Sequence, residues 1–477
     1  MTDTICAIST PPGIGGIAVA RVSGPESIMI TQSLWKGVDL SQVKSHTAHL
    51  GNILDCDGSV LDQALVTVFK APNSFTGDNV VEISVHGSKY IQRQLINALI
   101  SSGARLADPG EFTRRAFISG KLDLAQAEAV ADMIASSSKA AHRIAINQMR
   151  GGFSKRLSSL REQLLEFASL LELELDFSEE DVEFASRKKL LKIAIDVNTE
   201  VNRLLHSFKS GFAIKDGIPV AIVGETNAGK SSLLNSILGD DKAIVSDIHG
   251  TTRDIIEDTI EVGDYLFRFM DTAGLRDTTD KIESIGIDRA YSAISHARIV
   301  ILVIDLTQPL NTQPLQYIHN NIESDDLTKL IIALNKSDLD GTVLTTNEIR
   351  EALKNCKISS EVPILPISAK NGTGIDALLK ELQKTVAADD ETDNVMITNL
   401  RHCEALTKAA DSSQRVISGL QDNLSGDLIA QDLRETIFHL GTITGNITSQ
   451  DILTNIFSRF CIRSEERRVG KECRSRW

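Results

Sequence analysis

The sequence predicts a multidomain α/β and α protein in which an α/β domain interrupts a helical one. Three observations support this prediction. The chain has 477 residues, leucines recur at helical spacing after about residue 150, and four continuous apolar runs follow further along. At about 150 residues per domain, the length alone suggests about three domains.

The first predicted domain covers residues 1–118 and alternates short apolar runs with glycine and proline. The runs IAVARVSG, LVTVF and NVVEISVHG have the composition of β-strands, and the residues between them are typical of turns. We therefore predict strands joined by turns, with some helix between them, which is an α+β arrangement.

A helical domain is predicted in two pieces, residues 119–214 and residues 385–462. In the first piece, apolar side chains follow a helical period among Glu and Arg, at Leu157, Leu160, Leu164, Phe167, Leu171 and Leu175. Such a stripe is typical of long amphipathic helices. The acidic stretch 176–183 ends the pattern and is predicted to be a solvated loop.

Residues 215–384 separate the two helical pieces and alternate strand and helix patterns. The runs PVAIVG, FRFMD, IVILVID and LIIALN are almost entirely apolar. Continuous apolar runs of this kind are typical of parallel strands that are covered on both faces. An α/β domain inserted into a helical domain is the simplest arrangement that fits the order.

Residues 463–477, RSEERRVGKECRSRW, differ from everything before them. They contain six Lys or Arg and a single aliphatic residue, Val469. We interpret this segment as a non-native tail, such as vector-derived read-through, and exclude it from the fold prediction. The alternative interpretation is a basic arm that binds nucleic acid.

Composition excludes several classes of protein. The net charge of −14 argues against nucleic-acid binding over the whole surface, and leaves room for a local basic patch. The longest apolar run, 299–304, is far shorter than the roughly 20 residues of a membrane span. No secretory start is visible, and the six cysteines are scattered without a CxxC pair. We expect a cytoplasmic protein with no membrane segment and no disulfide framework.

The clearest motif is GETNAGKS at residues 224–231. It fits the phosphate-binding pattern GxxxxGK[ST], with an apolar run before it and a helical pattern after it. Glycines let backbone N–H groups surround phosphate oxygens at a helix N-terminus. Lys230 would neutralise charge on the β and γ phosphates, and Ser231 would offer its hydroxyl to Mg²⁺.

Two further motifs fit the γ-phosphate side of such a site. DTAG at 271–274 follows the run FRFM; Asp271 would reach Mg²⁺ through water, and the Gly274 N–H would sense the γ-phosphate. GTTRD at 250–254 lies between the two motifs. There, Thr251 or Thr252 would carry a hydroxyl that binds Mg²⁺ from a switch loop.

A base-recognition motif completes the set. NKSD at 335–338 follows the run LIIAL. The Asp338 carboxylate can accept from both guanine N1–H and N2–H₂, a donor pair that adenine lacks, so the motif favours GTP over ATP. Ser368, Ala369 and Lys370 would close over the base. The combination resembles the small GTPases.

The residue after DTAG is Leu275, where many small GTPases carry a Gln that orients the attacking water. A hydrocarbon cannot orient water, so another group must assist hydrolysis. No arginine finger is evident within the chain. Glu283 could act through water, although a solvated surface charge is the simpler interpretation of that residue alone.

Longer stretches of sequence resemble one family, the MnmE (TrmE) tRNA modification GTPases. These stretches are residues 10–24 (TPPGIGGIAVARVSG), 74–87 (SFTGDNVVEISVHG), 110–134 (GEFTRRAFISGKLDLAQAEAVADMI) and 451–462 (DILTNIFSRFCI). The resemblance covers about residues 3–462. It implies an N-terminal tetrahydrofolate-binding-like domain, a central helical domain and an inserted Ras-like P-loop GTPase domain.

The resemblance also implies site residues. The GTP site would comprise Asn227, Ala228, Gly229, Lys230, Ser231, Ser232, Ser246, Asp247, Ile248, His249, Gly250, Thr251, Asp271, Thr272, Ala273, Gly274, Asn335, Lys336, Asp338, Ser368, Ala369 and Lys370. Its K⁺ would be held by Asn227, Ser246, Ile248 and Thr251, and its Mg²⁺ by Ser231 and Thr252. Catalysis would rest on Glu283, Arg253, Asp254 and Lys230. Folate would contact Arg21, Glu82 and Lys121, with Cys461 as a further candidate.

A bound K⁺ near the β and γ phosphates can take the place of an arginine finger. The family further implies a homodimer, a heterotetramer with the FAD-containing partner MnmG, and a tRNA substrate. The expected product is an aminomethyl or carboxymethylaminomethyl group at C5 of the wobble uridine. The one-carbon unit would come from 5-formyltetrahydrofolate or a related reduced folate. GTP hydrolysis would act as a conformational drive.

The sequence departs from the family pattern at two places. Arg463 and Ser464 stand where the family has Gly and Lys, so the terminal Lys that would face folate is missing. Glu225 and Thr226 replace a basic residue and Pro within the phosphate loop, whose pattern survives. Two other functions share some of these motifs: a GTPase for ribosome assembly, and a regulatory switch whose partner affinity depends on GTP.

Overall fold

The computed structural model of the chain describes residues 3–176, 187–239, 257–270, 294, 296–322, 329–339, 343–359, 361–390, 395–447, 453, 456 and 457. The described part forms two compact units. The first unit comprises Met1–Ala131, Met149–Arg161 and Ile437–Trp477, and the second comprises Asp132–Gln148 and Glu162–Thr436. Among the described helices, none is long and apolar enough to cross a membrane.

The first unit is built on a seven-stranded sheet with the strand order β3-β4-β5-β6-β2-β1-β7. Neighbouring strands are antiparallel except β1 and β7, which are parallel. The strands are β1 (Ile5–Ile8), β2 (Gly15–Ser23), β3 (Trp35–Lys36), β4 (Thr47–Leu54), β5 (Val60–Phe69), β6 (Val80–Gly87) and β7 (Arg105–Leu106). Its helices include α1 (Ser27–Ser33), α2 (Lys89–Ser101), α3 (Glu111–Ile118) and most of α4 (Leu124–Ala135).

Alternation along these strands places one face of the sheet in the core and leaves much of the other face exposed. This second face, here called the open face, is covered near β1, where Ile5 and Ala7 pack against Phe112. In β5 and β6, Val66 and Ile83 are fully buried, whereas Leu65 and Glu82, on the other face, are not. The buried face packs against α1 and α2 through a cluster that includes Leu95 and Leu99.

A C-terminal segment contributes to a second, smaller apolar cluster of the first unit, with Leu124 and Ala127. Phe457 is 2% exposed and its ring lies 6.3 Å from that of Phe117 at the end of α3. Gly445, with φ +85°, lets the chain pass close by, because a Cβ there would lie 2.7 Å from the Phe117 ring. Residues that are distant in sequence therefore share this smaller cluster.

The second unit contains a six-stranded sheet with the order β13-β12-β11-β8-β10-β9. All neighbours are parallel except β9 and β10, which form an antiparallel hairpin at one edge. The strands are β8 (Ile218–Gly224), β9 (Glu257–Val262), β10 (Tyr265–Met270), β11 (Ile299–Asp305), β12 (Lys329–Asn335) and β13 (Ile364–Pro366). Alternate residues of the central strands enter two separate clusters, so the sheet is buried on both faces.

Long helices accompany this sheet in the second unit, although some extend into segments of the first unit. The helices after α4 are α5 (Lys139–Met149), α6 (Gly152–Asp176), α7 (Arg187–Asp216), α8 (Lys230–Leu238), α9 (Gln313–Ile322), α10 (Thr346–Asn355), α11 (Ile375–Asp390), α12 (Leu400–Gln421) and α13 (Gly426–Thr444). Helix α6 begins and α13 ends in those segments of the first unit. Helix α7 packs along α12. Gly211 permits close packing beside residue 397, since a Cβ on Gly211 would lie 2.3 Å from the Ile397 carbonyl oxygen.

The structure confirms the predicted strands around IAVARVSG, LVTVF and NVVEISVHG, the four parallel strands and the helix through Leu157–Leu171. The predicted loop at 176–183 lies outside the described residues except for Asp176, which ends α6. The compact units do not follow the predicted domain borders, which stay a prediction.

Candidate functional site

The predicted phosphate loop connects β8 to α8, as the motif requires. Gly224 has φ +151°, and a Cβ there would lie 2.4 Å from the Val303 carbonyl oxygen on neighbouring β11. Asn227 adopts φ +63°, a left-handed conformation that Asn tolerates better than most residues. Gly229, with φ +96°, precedes the first residue of α8. The loop therefore turns on residues suited to left-handed backbone.

Lys230 begins α8 and turns its ammonium toward the phosphate loop. Its Nζ donates to the carbonyl oxygens of Gly224 and Glu225 at 2.9 and 2.7 Å. Burial lowers the pKa of the Lys230 ammonium, and the Glu225 carboxylate partly opposes that shift. A phosphate would supply the negative charge that this partly desolvated cation lacks, so the residues fit an anionic ligand.

Asn335, the last residue of β12, connects two of the predicted nucleotide-binding loops. Its Nδ2 donates to the Ala228 carbonyl oxygen at 2.7 Å, and its Oδ1 accepts from the Ala369 N–H at 2.9 Å. The side chain is 3% exposed. A Cβ on Gly229 would lie 2.1 Å from Asn335 Nδ2, which explains why glycine is needed there.

The predicted base-binding residues gather at the same carboxyl edge of the sheet. Asp338 is exposed, and its Oδ2 accepts from Asn371 Nδ2 at 3.2 Å. Ser368 is buried, its N–H donates to the Thr373 carbonyl oxygen at 2.9 Å, and its Oγ accepts from the Asn371 N–H at 3.2 Å. Lys370 is exposed. The structure thus brings the GETNAGK, NKSD and SAK motifs together.

Ser231 and Asn227, the predicted Mg²⁺ and K⁺ ligands in the phosphate loop, lie within this arrangement; Ser231 is half-buried and Asn227 exposed. Ser232, also predicted to bind GTP, is exposed in α8. Fourteen other predicted residues of the site lie outside the described residues. They are Ser246, Asp247, Ile248, His249, Gly250, Thr251, Thr252, Arg253, Asp254, Asp271, Thr272, Ala273, Gly274 and Glu283. Within the described part of the chain, no cluster of three or more His, Cys, Asp or Glu suits a metal ion.

A second candidate site lies on the open sheet face of the first unit. Arg21 and Glu82 are directly paired in β2 and β6, and Arg21 Nε and Nη2 donate to Glu82 Oε1 at 3.0 and 2.7 Å. The Arg21 guanidinium carbon lies 5.4 Å from the ring centre of Phe75 and 5.6 Å from that of Phe112. Two aromatic rings therefore hold this cation.

Lys121, the third predicted folate residue, lies beside the loop 74–79. A Cβ on Gly77 would lie 3.8 Å from Lys121 Cε, and the same loop carries Phe75. Ser119 Oγ donates to the Thr76 carbonyl oxygen at 2.7 Å, which holds the loop against the end of α3. Cys461 lies outside the described residues.

A buried ion network supports the helix that carries Phe112. Glu111 is 1% exposed and accepts from Arg105 Nη2 at 2.7 Å and Arg115 Nη2 at 3.0 Å. Arg115 Nη2 also donates to Asp3 Oδ1 at 2.9 Å. Burial raises the pKa of Glu111, but hydrogen bonds from Arg105, the Asp108 N–H and Arg115 outweigh it, and the net pKa is lowered.

Sequence reasoning missed several residues that contact the predicted ones. Phe75 and Phe112 belong to motifs that were recognised, but nothing in their spacing indicates that both contact Arg21. Asn371 contacts Asp338, and Asp305 contacts Lys336. The role of Asp305 could have been suspected from one feature of the sequence. It ends a predicted buried strand, and such strand ends lie at the same edge of the sheet as the NKSD motif.

Two protein-family descriptions match this chain, one at its N-terminal end and one over most of the rest. The family description "GTP-binding protein TrmE N-terminus" matches residues 4–121, and "MnmE helical domain" matches residues 124–461. The Parabacteroides distasonis protein named tRNA modification GTPase MnmE is 50% identical to this chain over 466 residues. The protein of the same name from Flavobacterium johnsoniae is 48% identical to this chain, also over 466 residues. Each alignment covers 96% of this chain and 99% of the relative.

A third such protein, from Bacteroides thetaiotaomicron, is 50% identical over 465 residues, with 96% of this chain and 99% of the relative covered. Among solved structures, the G domain of the T. maritima FeoB iron transporter is 25% identical. That match covers 36% of this chain and 97% of the other, at a TM-score of 0.25 that supports no conclusion.

Proposed function

The chain belongs to the MnmE family of tRNA modification GTPases, and on this premise we propose that it hydrolyses GTP with the help of K⁺ to support wobble-uridine modification. The observation that carries the proposal is Asn335, which joins the phosphate loop to the SAK loop through two buried hydrogen bonds. A bound nucleotide would contact both loops. Their connection holds the phosphate and base positions in one fixed relation.

The described residues have distinct parts in this reaction. Lys230 would offset phosphate charge, backbone N–H groups of the loop 224–230 would hold phosphate oxygens, and Ser231 would hold Mg²⁺. Asp338 would accept from the guanine N–H groups, which sets the preference for GTP. Asn227 would hold K⁺, which supplies positive charge near the β and γ phosphates when bound. In hydrolysis, a bond forms between the water oxygen and the γ phosphorus while the bond between the γ phosphorus and the β–γ bridging oxygen breaks. GDP leaves with the bridging oxygen, and a proton of the water passes to the released phosphate or to solvent.

The test is GTP hydrolysis in KCl against NaCl at equal ionic strength. K⁺ stimulation should be strong in the unaltered chain and absent in Asn227→Ala. Asn235→Ala is the matched control, because Asn235 is an exposed Asn in helix α8, which follows the loop. Hydrolysis that is equally fast in both salts would refute the K⁺ mechanism. No hydrolysis in either salt would refute the GTPase proposal itself.

We also propose that the Arg21–Glu82 site binds 5-formyltetrahydrofolate or a related reduced folate. A carboxylate and a cation on one sheet face, with the rings of Phe75 and Phe112 against the cation, suit a flat heterocycle with N–H donors and a carboxylate tail. Glu82→Gln should weaken 5-formyltetrahydrofolate binding at least tenfold in calorimetric titration. Asp62→Asn, which removes the His86–Asp62 pair of the same unit, should change it less than twofold. Equal losses in both variants would contradict the proposal.

A homodimer formed through the first unit is part of the proposal. The open sheet face exposes Ile17, Leu50 and Leu65 by 70%, 67% and 43%, and Leu50 pairs directly with Leu65. Light scattering should give a dimer for the unaltered chain and a monomer for Leu65→Glu. Leu428→Glu is the control, because Leu428 is exposed in the second unit. A monomeric unaltered chain would overturn this part.

We further propose that the dimer forms a heterotetramer with MnmG and acts on tRNA. The FAD of MnmG and a one-carbon unit from the folate would both be used to modify uridine 34. Mass spectrometry of tRNA from cells without their own family member should show the aminomethyl or carboxymethylaminomethyl product when this chain is supplied. Glu283→Ala should abolish it. Wild-type product levels with Glu283→Ala would separate modification from hydrolysis and leave a regulatory GTP switch.

A further inference from the structure

A buried carboxylate outside the predicted site contacts one of the predicted base-binding residues. Asp305 ends β11 and lies directly beside Asn335, which ends β12 in the parallel register. Asp305 is 8% exposed. The next residue after Asn335 is Lys336, whose Nζ lies 2.5 Å from Asp305 Oδ2. The two residues form an ion pair across neighbouring strand ends.

Both carboxylate oxygens of Asp305 are engaged, so the group is held in one orientation. Oδ2 accepts from Lys336, and Oδ1 accepts from the Thr307 N–H at 2.9 Å and from Thr307 Oγ1 at 2.7 Å. Burial raises the pKa of Asp305, but the bonds from Lys336 and Thr307 outweigh it and the net pKa is lowered. The carboxylate is therefore charged at neutral pH and anchored by its own loop.

Lys336 needs such an anchor more than most residues of the site. Its backbone has φ +64°, a left-handed conformation that lysine rarely adopts. Its side chain has four rotatable bonds, and ordering it carries a large entropy loss. An ion pair formed before the ligand arrives removes that loss from the binding step, because the side chain is already ordered.

We propose that Asp305 is a positioning residue for guanine nucleotides, which holds Lys336 extended beside the base so that its stem can pack against the guanine ring. This inference rests on the proposed GTP site. Asp305 would act only through Lys336, without touching the nucleotide. The neutral Asp305→Asn variant keeps the shape of the side chain and removes the charge that fixes the ammonium.

The test measures the dissociation constant and dissociation rate of a fluorescent GDP analogue for the full chain. The variants are Asp305→Asn, Lys336→Met and the double variant. Asp305→Asn should raise the dissociation constant at least tenfold in the chain with Lys336, and less than twofold in the Lys336→Met chain. The turnover number of Asp305→Asn at saturating GTP should stay within twofold of the unaltered chain, because Asp305 does not touch the nucleotide.

The matched control is Asp264→Asn, which removes another Asp–Lys pair of the second unit, Lys139–Asp264 at 2.9 Å. Asp264 lies in the turn between β9 and β10, the hairpin at one side of the sheet, whereas Asp305 ends central strand β11, so GDP binding should not change. An equal loss from Asp305→Asn in both backgrounds, which general misfolding would also produce, overturns the inference. Unchanged or tighter binding overturns it as well. If the unaltered chain binds no guanine nucleotide, both the proposed GTP site and the role of Asp305 are refuted.

Discussion

Gly229→Ala should weaken guanine nucleotide binding strongly, although it adds only one methyl group. Two effects combine at this position. Gly229 has φ +96°, and left-handed backbone costs a residue with a side chain about 1 to 2 kcal/mol. The added Cβ would also lie 2.1 Å from Asn335 Nδ2. Moving that buried amide leaves polar groups unpaired, at about 1 to 3 kcal/mol.

The two effects sum to about 2 to 5 kcal/mol, which corresponds to about 30-fold to several thousand-fold in affinity. Without nucleotide, the phosphate loop can relax into another conformation and avoid the strain. The free-energy cost therefore appears as a loss of affinity, because binding requires the loop to return to its present conformation. Calorimetric titration with GDP measures it. Gly58→Ala is the control, because Gly58 has φ +80° with no heavy atom within 4 Å of a Cβ and lies in the first unit. An affinity for Gly229→Ala within threefold of the unaltered chain would refute the reasoning.

Two further predictions concern titratable groups in the first unit. Because hydrogen bonds from Arg105 and Arg115 hold the pKa of Glu111 below its ordinary 4.5, its stabilising effect is present above about pH 4.5 and disappears as the pH falls through the lowered value. Acid unfolding of Glu111→Gln should therefore show a weaker pH dependence than that of the unaltered chain, and parallel curves would contradict this. Burial raises the pKa of the Cys6 thiol to about 12. Mass spectrometry after iodoacetamide treatment at pH 8 should find exposed Cys56 modified and Cys6 unmodified; rapid labelling of Cys6 in the folded chain would show that it is accessible.

The nucleotide-binding loops could be predicted from the sequence because each follows a recognisable strand. The runs PVAIVG and LIIALN are continuous and apolar, and the motifs come directly after them. Parallel strands end at the same edge of a sheet, so the order of motifs alone brings them together. The structure confirms this through Asn335, whose side chain is hydrogen-bonded to both Ala228 and Ala369.

Contacts that depend on register could not be predicted in the same way. Asp305 meets Lys336 only because β11 and β12 pair with Asp305 beside Asn335. A shift by one residue would move the carboxylate to the other face. Strands β3 and β7 have two residues each, too few to show any period, and were missed for that reason.

The composition of the first unit has a consequence for the order in which the chain folds during synthesis. The core of its sheet is made of residues between Cys6 and Ala104, so that core can form soon after those residues leave the ribosome. A smaller cluster needs Phe457 beside Phe117 and Leu124, and the segments Met149–Arg161 and Ile437–Trp477 of the same unit are separated by most of the second unit. At about 5 to 20 residues per second, translation of the chain between those two segments takes roughly 15 to 55 seconds. The first unit therefore folds in two stages during synthesis, an early sheet and a late cluster that waits for the end of the chain.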